Sequence, residues 1–256
     1  MSVFGKLPYL DAGNFTFHGI LLNFANVTNT IIKIKNYMKR IMIVLATLLI
    51  VLGAEAQKPF YLQKEGVKLG YTITNKKGKV DGYSETKVVS VKSSGAQTAV
   101  TVQTMVKNNK GTDLLQKPFD VSVVINNGTV IMSPKALVGK IVEGMNIIGE
   151  DLELPANLTK GATLNDYSIT MGIVGINTTT NVTGVKVVAE ETINVSGHSI
   201  PCVVVESTAS VKVFGINRSS LQKVWYGRGI GIVKSETYDN KGKLESTQTL
   251  TSIEGL

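Results

Sequence analysis

The run VVVESTASVKV, Val203 to Val213, decides the fold class. Its odd positions, Val203, Val205, Ser207, Ala209, Val211 and Val213, are apolar or small, while Glu206, Thr208, Ser210 and Lys212 take even ones. A period of two sends these sets to opposite faces of a strand, and one wet face marks an antiparallel sheet. Upstream, Val185, Val187, Ala189, Ile193 and Val195 alternate with Lys186, Glu190, Thr192 and Asn194. Glu191 interrupts that apolar set, which predicts a bulge or a sheet edge there. Further out, Val100 and Val102 alternate with Thr101 and Gln103, and Val121, Val123 and Ile125 with Asp120, Ser122 and Val124.

Turn chemistry agrees. Asn75-Lys76-Lys77-Gly78-Lys79 and Asp239-Asn240-Lys241-Gly242-Lys243 each put Gly where a short hairpin needs positive φ. No period of 20 to 50 residues recurs, which excludes a solenoid or propeller. Two places depart from the strand pattern. Ser133-Pro134-Lys135-Ala136-Leu137-Val138 pairs an N-cap Ser with Pro at the first helical position and predicts one short helix ending near Gly139. Gly149 to Gly161 reads as a loop with acidic residues and leucines around Pro155. The expected fold is therefore all-β: a single antiparallel β domain, built as a curved sheet or a half-open or closed barrel, with one short helix.

The N-terminus carries an address. Lys39-Arg40 forms a basic start after Met38, Ile41 to Leu52 is uninterrupted by charge or Gly, and Ala54-Glu55-Ala56 supplies small residues before Gln57. These are the parts of a secretory signal peptide spanning 38–56 and cleaved between Ala56 and Gln57. The apolar run is too short for a transmembrane helix, which needs about 18 residues or more. No Cys lies at the cleavage point to take a lipid. An export signal belongs at a chain start, so residues 1–37 read as a non-native extension from a misassigned start, and 57–256 as one exported β domain. Its expected address is the periplasm, with the cell surface or secretion as the other options.

Composition narrows the chemistry. The chain of 256 residues is 43% hydrophobic and 18% charged, which excludes disorder driven by charge. Its net charge of +8 is scattered through Lys-rich turns, without the clustered basic face and interleaved aromatics of a nucleic-acid binder. One Cys excludes a disulfide framework or a Cys-based zinc site. Two His, of which only His198 follows the signal, leave little for acid-base or metal chemistry.

Several segments resemble a known group. These are Tyr61 to Thr72, the Asn-Lys-Lys-Gly-Lys hairpin, Leu154-Pro155-Ala156-Asn157-Leu158-Thr159-Lys160-Gly161, Val195 to Cys202, and above all Trp225-Tyr226-Gly227-Arg228-Gly229-Ile230-Gly231 through Glu236. In order and spacing they resemble the 3108-like domain-of-unknown-function family of exported proteins in Bacteroidota, over nearly all of the chain after the signal. The resemblance implies a signal-bearing antiparallel β protein of the cell envelope and brings no catalytic residues with it.

Other motifs read as architecture. Gly227, Gly229 and Gly231 flank a turn into a strand, not a helix, so they are no phosphate loop. Trp225 and Tyr226 are the candidate ligand-binding residues, since rings with polar tips suit a cleft wall, although such a pair more often caps a β core. His198 and Cys202 invite a nucleophile pair but lack an orienting group and an oxyanion site, so a packed Cys and an exposed turn His are the simpler reading. Glu150, Asp151 and Glu153 lack calcium-loop spacing and read as solvated charge. Sequons such as Asn177-Thr178-Thr179 and Asn194-Val195-Ser196 reflect an Asn- and Thr-rich composition. The sequence thus predicts no catalytic residue, cofactor or metal. It predicts a non-enzymatic envelope protein binding a small hydrophobic or extended ligand. A structural module binding an envelope protein through strand edges or the 149–161 loop, and a hydrolase, are the alternatives. No nucleic acid and no transmembrane segment after signal cleavage are expected.

Overall fold

The computed structural model describes residues 58–115, 117–134, 145–173, 176–213 and 216–256. They form thirteen strands: β1 (Lys68–Asn75), β2 (Val80–Ser94), β3 (Gln97–Asn108), β4 (Phe119–Asn126), β5 (Thr129–Met132), β6 (Met145–Gly149), β7 (Leu152–Leu154), β8 (Tyr167–Ile173), β9 (Ile176–Val195), β10 (His198–Val213), β11 (Ile216–Gly227), β12 (Gly231–Tyr238) and β13 (Leu244–Glu254). All join in one antiparallel sheet of order β6-β8-β9-β10-β11-β12-β13-β1-β2-β3-β4-β5-β7. This is the antiparallel all-β architecture that the alternation predicts. Among the described residues there is no helix. The helix expected over Ser133 to Val138 falls, from residue 135 onward, outside the described residues. The extension, the signal peptide and its cleavage residues Ala54, Ala56 and Gln57 lie outside them as well.

The hydrogen-bonded sheet is not closed, yet its two edge strands are successive pieces of one segment. β6 pairs with β8, β7 pairs with β5, and only Glu150 and Asp151 separate β6 from β7. Alternation of direction along the sheet makes β6 and β7 run the same way, as one interrupted strand would. The stretch expected as a loop is thus partly a strand, because Leu152 and Leu154 face the core while Glu153 faces out. Gly149 marks the junction. A Cβ there would lie 2.6 Å from the carbonyl oxygen of Ser168 in β8 and 3.2 Å from Cγ of Pro134, which follows β5. Both sheet edges therefore approach one residue, and only a residue without a side chain fits between them.

The upper end of the sheet carries three copies of one turn. Asn75, Asn108 and Asp239 each accept two backbone N–H bonds on a side-chain oxygen, from the residues two and four further on. Gly78 and Gly242 take the positive φ that the sequence predicts, +72° and +73°. One turn solution used three times accounts for the likeness of the Asn75 and Asp239 hairpins. At the lower end the segment Lys58 to Leu62 packs under the sheet. The Gly229 N–H donates to the Pro59 carbonyl at 2.6 Å, and the Arg228 guanidinium lies 4.3 Å from the centre of the Phe60 ring. Phe60 is fully buried there, and Leu62 and Val67 are buried as well.

Bulges decide which residues face inward. In β9 the register against β10 skips Val188, three residues before the Glu191 position expected from the sequence. One inserted residue inverts the phase of everything beyond it. Val185 and Val187 therefore face inward, whereas Ala189, Glu191, Ile193 and Val195 face outward, so the apolar set that looked continuous is split between the two faces. The outward half joins Ile200, Cys202 and Val204 of β10 in a second, smaller buried cluster. That cluster explains why Val203-Val204-Val205 is apolar on both sides. Val203 and Val205 enter the main core, and Val204 enters the outer cluster.

Candidate functional site

Directly paired residues in antiparallel strands share a face, so the register traces the inner wall from strand to strand. On β4, β5, β7 and β8 that wall is apolar, with Val121, Val123, Val130, Leu154, Ile169 and Met171 all buried. The wall formed by β2, β3, β9, β10, β12 and β13 differs. Every buried polar side chain among the described residues lies on it: Ser84, Thr104, Thr178, Thr180, Ser207, Ser235, Ser246 and Gln248. These side chains are small or uncharged. Two of their atoms, Thr180 Oγ1 and Gln248 Oε1, have no hydrogen-bond partner although each residue is at most 9% exposed. An unpaired buried polar atom costs about 1–3 kcal/mol, so it is not a neutral feature of a core.

The upper part of this wall is reached by solvent. Ile73, Ser220, Gln222 and Thr237 are half-buried although they face inward. Charge is sparse on the inner face. Arg218 has inward phase at the upper tip of β11, where it is exposed, and Glu190 has it low on β9, where its carboxylate accepts the Lys160 N–H at 3.0 Å. The sequence offered no signal for Thr178 and Thr180, because a Thr-rich run reads as composition until register assigns it a face.

Trp225 and Tyr226 are brought to the core but not to one cleft. As neighbours on β11 they point to opposite faces. Trp225 faces outward, 7% exposed, its Nε1 donating to Glu191 Oε2 at 2.7 Å and its ring lying 4.5 Å from the Lys234 ammonium. Glu191, the residue that interrupted the apolar pattern, is thus the partner of the indole. Tyr226 faces inward and is fully buried, and burial first and Tyr167 second hold its hydroxyl protonated well above the ordinary tyrosine range. Below Trp225 the chain turns through Gly227 and Gly229. A Cβ on Gly227 would collide with the side chains of Ile200 and Val233, and Gly229 has φ of +72°. The glycine string serves packing and a turn, as its sequence context implies.

His198 and Cys202 both belong to β10, four residues apart, which separates their Cα atoms by roughly 13 Å in a strand. They cannot meet, so the contact that their spacing left open does not form. The Cys202 thiol is buried, donates to the Ile200 carbonyl at 3.3 Å, and is pushed up to about 12, chiefly by burial. Glu150, Asp151 and Glu153 are exposed, and among the described residues no cluster of potential ligands could hold a metal ion. On the outer face Glu206 bridges Lys186 at 3.3 Å and Lys223 at 3.4 Å, a solvated ladder across three strands. A separate open cleft of about 700 Å³ lies at the lower end, between Lys58 to Lys64 and the turns at Ala96 and Asn127, away from Trp225 and Tyr226.

The family model of the DUF3108-like proteins matches residues 64–250. This chain belongs to the DUF3108-like family. Two solved structures share the fold of this DUF3108-like protein. One is described as an exported protein with a YmcC-like fold, from Bacteroides fragilis, 20% identical, with TM-score 0.65, covering 77% of this chain and 99% of its own. The other is described as a lipoprotein from Parabacteroides distasonis, 17% identical, with TM-score 0.68, covering 78% of this chain and 100% of its own. No curated protein matches the chain. Among the described residues no helix is long and apolar enough to cross a membrane.

Proposed function

We propose that this DUF3108-like protein is a non-enzymatic protein of the periplasm that binds a small hydrophobic or extended ligand on the inner face of its curled sheet. The observation that carries this reading is the solvent-reached upper part of an otherwise buried inner wall, at Ile73, Ser220, Gln222 and Thr237. These inward-facing positions line the upper part of the inner wall, where a ligand could enter between the strands. The signal peptide pattern supports the address, together with relatives of the same fold described as exported and as a lipoprotein. The distance of His198 from a buried, protonated Cys202 supports a non-enzymatic role.

Partner binding through strand edges has less to draw on. The edge strands β6 and β7 are short and consecutive in the chain, and Leu158 of the 149–161 stretch is buried and not offered to a partner. Native mass spectrometry of the protein purified from its own envelope tests the proposal. A retained small molecule of defined mass is the expected result, and bare protein under conditions that preserve a control lipid complex would overturn it.

A further inference from the structure

The fold gathers charge that the sequence scatters. Lysines as distant in the chain as Lys76 and Lys243 meet at the upper end, because the pairs β12-β13, β1-β2 and β3-β4 are consecutive in the sheet. Register sets their three turns side by side: Tyr238 pairs with Leu244, Asn75 with Ser246, and Gly82 with both Ile73 and Asn108. In each turn the residue whose N–H donates to the Asn or Asp oxygen two positions earlier is a lysine, namely Lys77, Lys110 and Lys241. The turn asks only for that N–H and for the glycine that follows, so it leaves the lysine side chain unspecified. Lys76, Lys79 and Lys243 add to the set and all six are exposed, as are Lys212 and Arg218 near the upper ends of β10 and β11. The acids of the same turn segments, Asp81, Asp113, Asp239 and Glu245, are fewer than the cations. Of these, Asp113 is held by Lys107 at 3.8 Å and Asp239 by the backbone of its own turn.

Apolar side chains are set among these charges. Val80 and Leu244 directly follow Lys79 and Lys243, Tyr83 pairs with Lys107, and all three are exposed. The geometry points to a docking surface for an anionic lipid bilayer, with the lysines against acidic headgroups and Val80, Tyr83 and Leu244 entering the headgroup layer. An acidic polymer would neutralise the lysines and leave these three side chains in water. The signal peptide pattern also sends the chain to a compartment bounded by membranes. This inference goes beyond the inner-face reading and stands without it, although the same end is where solvent reaches the inner wall.

Co-sedimentation with vesicles of pure phosphatidylcholine, and of phosphatidylcholine mixed with phosphatidylglycerol, tests the proposal. Binding to the mixed vesicles is expected to be about tenfold tighter or more, and to be lost at about 0.5 M salt, where screening shortens the reach of surface charge. The triple variant Lys77→Gln, Lys110→Gln, Lys241→Gln is expected to weaken it by about tenfold or more. Its melting temperature should match the parent's, since every turn N–H is kept. A second triple variant, Lys58→Gln, Lys64→Gln, Lys92→Gln, removes the same charge at the lower end and should bind within about twofold to threefold of the parent. Equal loss in the two variants would reduce the effect to net charge and overturn the docking surface. Binding to neither vesicle, equal binding to both, or retention on heparin without vesicle binding would overturn the lipid assignment. A small molecule still retained in native mass spectrometry would then leave the inner-face reading in place.

Discussion

Gly149→Ala is the sharpest test of how the sheet's edges meet. Strand propensity alone predicts that Ala in place of Gly stabilises by about 0.5–1 kcal/mol. The surroundings of Gly149 predict the opposite sign. The new methyl would sit 2.6 Å from the Ser168 carbonyl oxygen, 3.2 Å from Ile169 Cα and 3.2 Å from Pro134 Cγ. Two of these atoms are backbone of β8, which is paired along its length with β9 and cannot rotate away as a side chain could. The Ser168 carbonyl also accepts the Glu150 N–H at 3.4 Å, so moving it loosens the link between β6 and β7. Overpacking of this kind costs about 1–3 kcal/mol, and contact with backbone places this case at the upper end, at about 2–3 kcal/mol. For a domain of this size that lowers the melting temperature by roughly 4–12 °C. Gly70→Ala is the control. Its Cβ would meet only the Ser252 side chain, whose hydroxyl can turn aside, so stability should stay level or rise slightly. Urea titrations of both variants, read by the fluorescence of Trp225, give the comparison. Gly149→Ala as stable as the parent would refute the claim that the two edges converge on this residue.

Four other expectations follow from the packing. The buried Cys202 thiol, raised to about 12, should resist iodoacetamide at pH 8 in native protein and react fully in denaturant. Because its pKa is raised above the unfolded value of about 8.5, its contribution to stability is complete below that pH and is lost as pH climbs toward 12. Buried Tyr61, Tyr71 and Tyr226 and half-buried Tyr167 are raised in the same direction, so the urea midpoint should fall steeply from about pH 9 to 10 upward, and a flat alkaline limb would contradict this packing. Trp225→Phe removes the bond to Glu191 and weakens the Lys234 stack, costing about 1–2 kcal/mol in urea melts while leaving any retained ligand in place; loss of that ligand would show that the outer face takes part in binding. Phe60→Ala should cost about 3–5 kcal/mol by differential scanning fluorimetry, since the ring is fully buried at the lower end, and a shift of less than 2 °C would mean that the segment before β1 does not seal the sheet.

Alternation was enough to read the strands from Val203 to Val213 and from Val121 to Ile125, because a period of two is a local property of the chain. The turns were legible for the same reason: Asn75 and Asp239 bond to backbone no more than four residues away. The candidate site was much less legible. Trp225 and Tyr226 attracted attention as aromatic residues, yet being neighbours in a strand they divide between the two faces. The inner-wall residues Thr180 and Gln248 look like ordinary polar composition, and they acquire meaning only from which face they share with residues of distant strands.

The sequence by itself determined the all-β antiparallel class, the hairpin turns, and the scarcity of His and Cys, since each depends on residue identity and near-neighbour spacing. Tertiary structure decided the rest. The bulge at Val188 turned half of one apolar run from the core to the outer face, a change that depends on how β9 registers against β10. The meeting of both sheet edges at Gly149 depends on strands β5 and β8, which lie on either side of that glycine in the chain and are joined to it by no local rule. A one-residue slip in pairing reverses every side chain beyond it, so which polar atoms end up buried and unpaired is fixed by long-range register and not by the residues themselves.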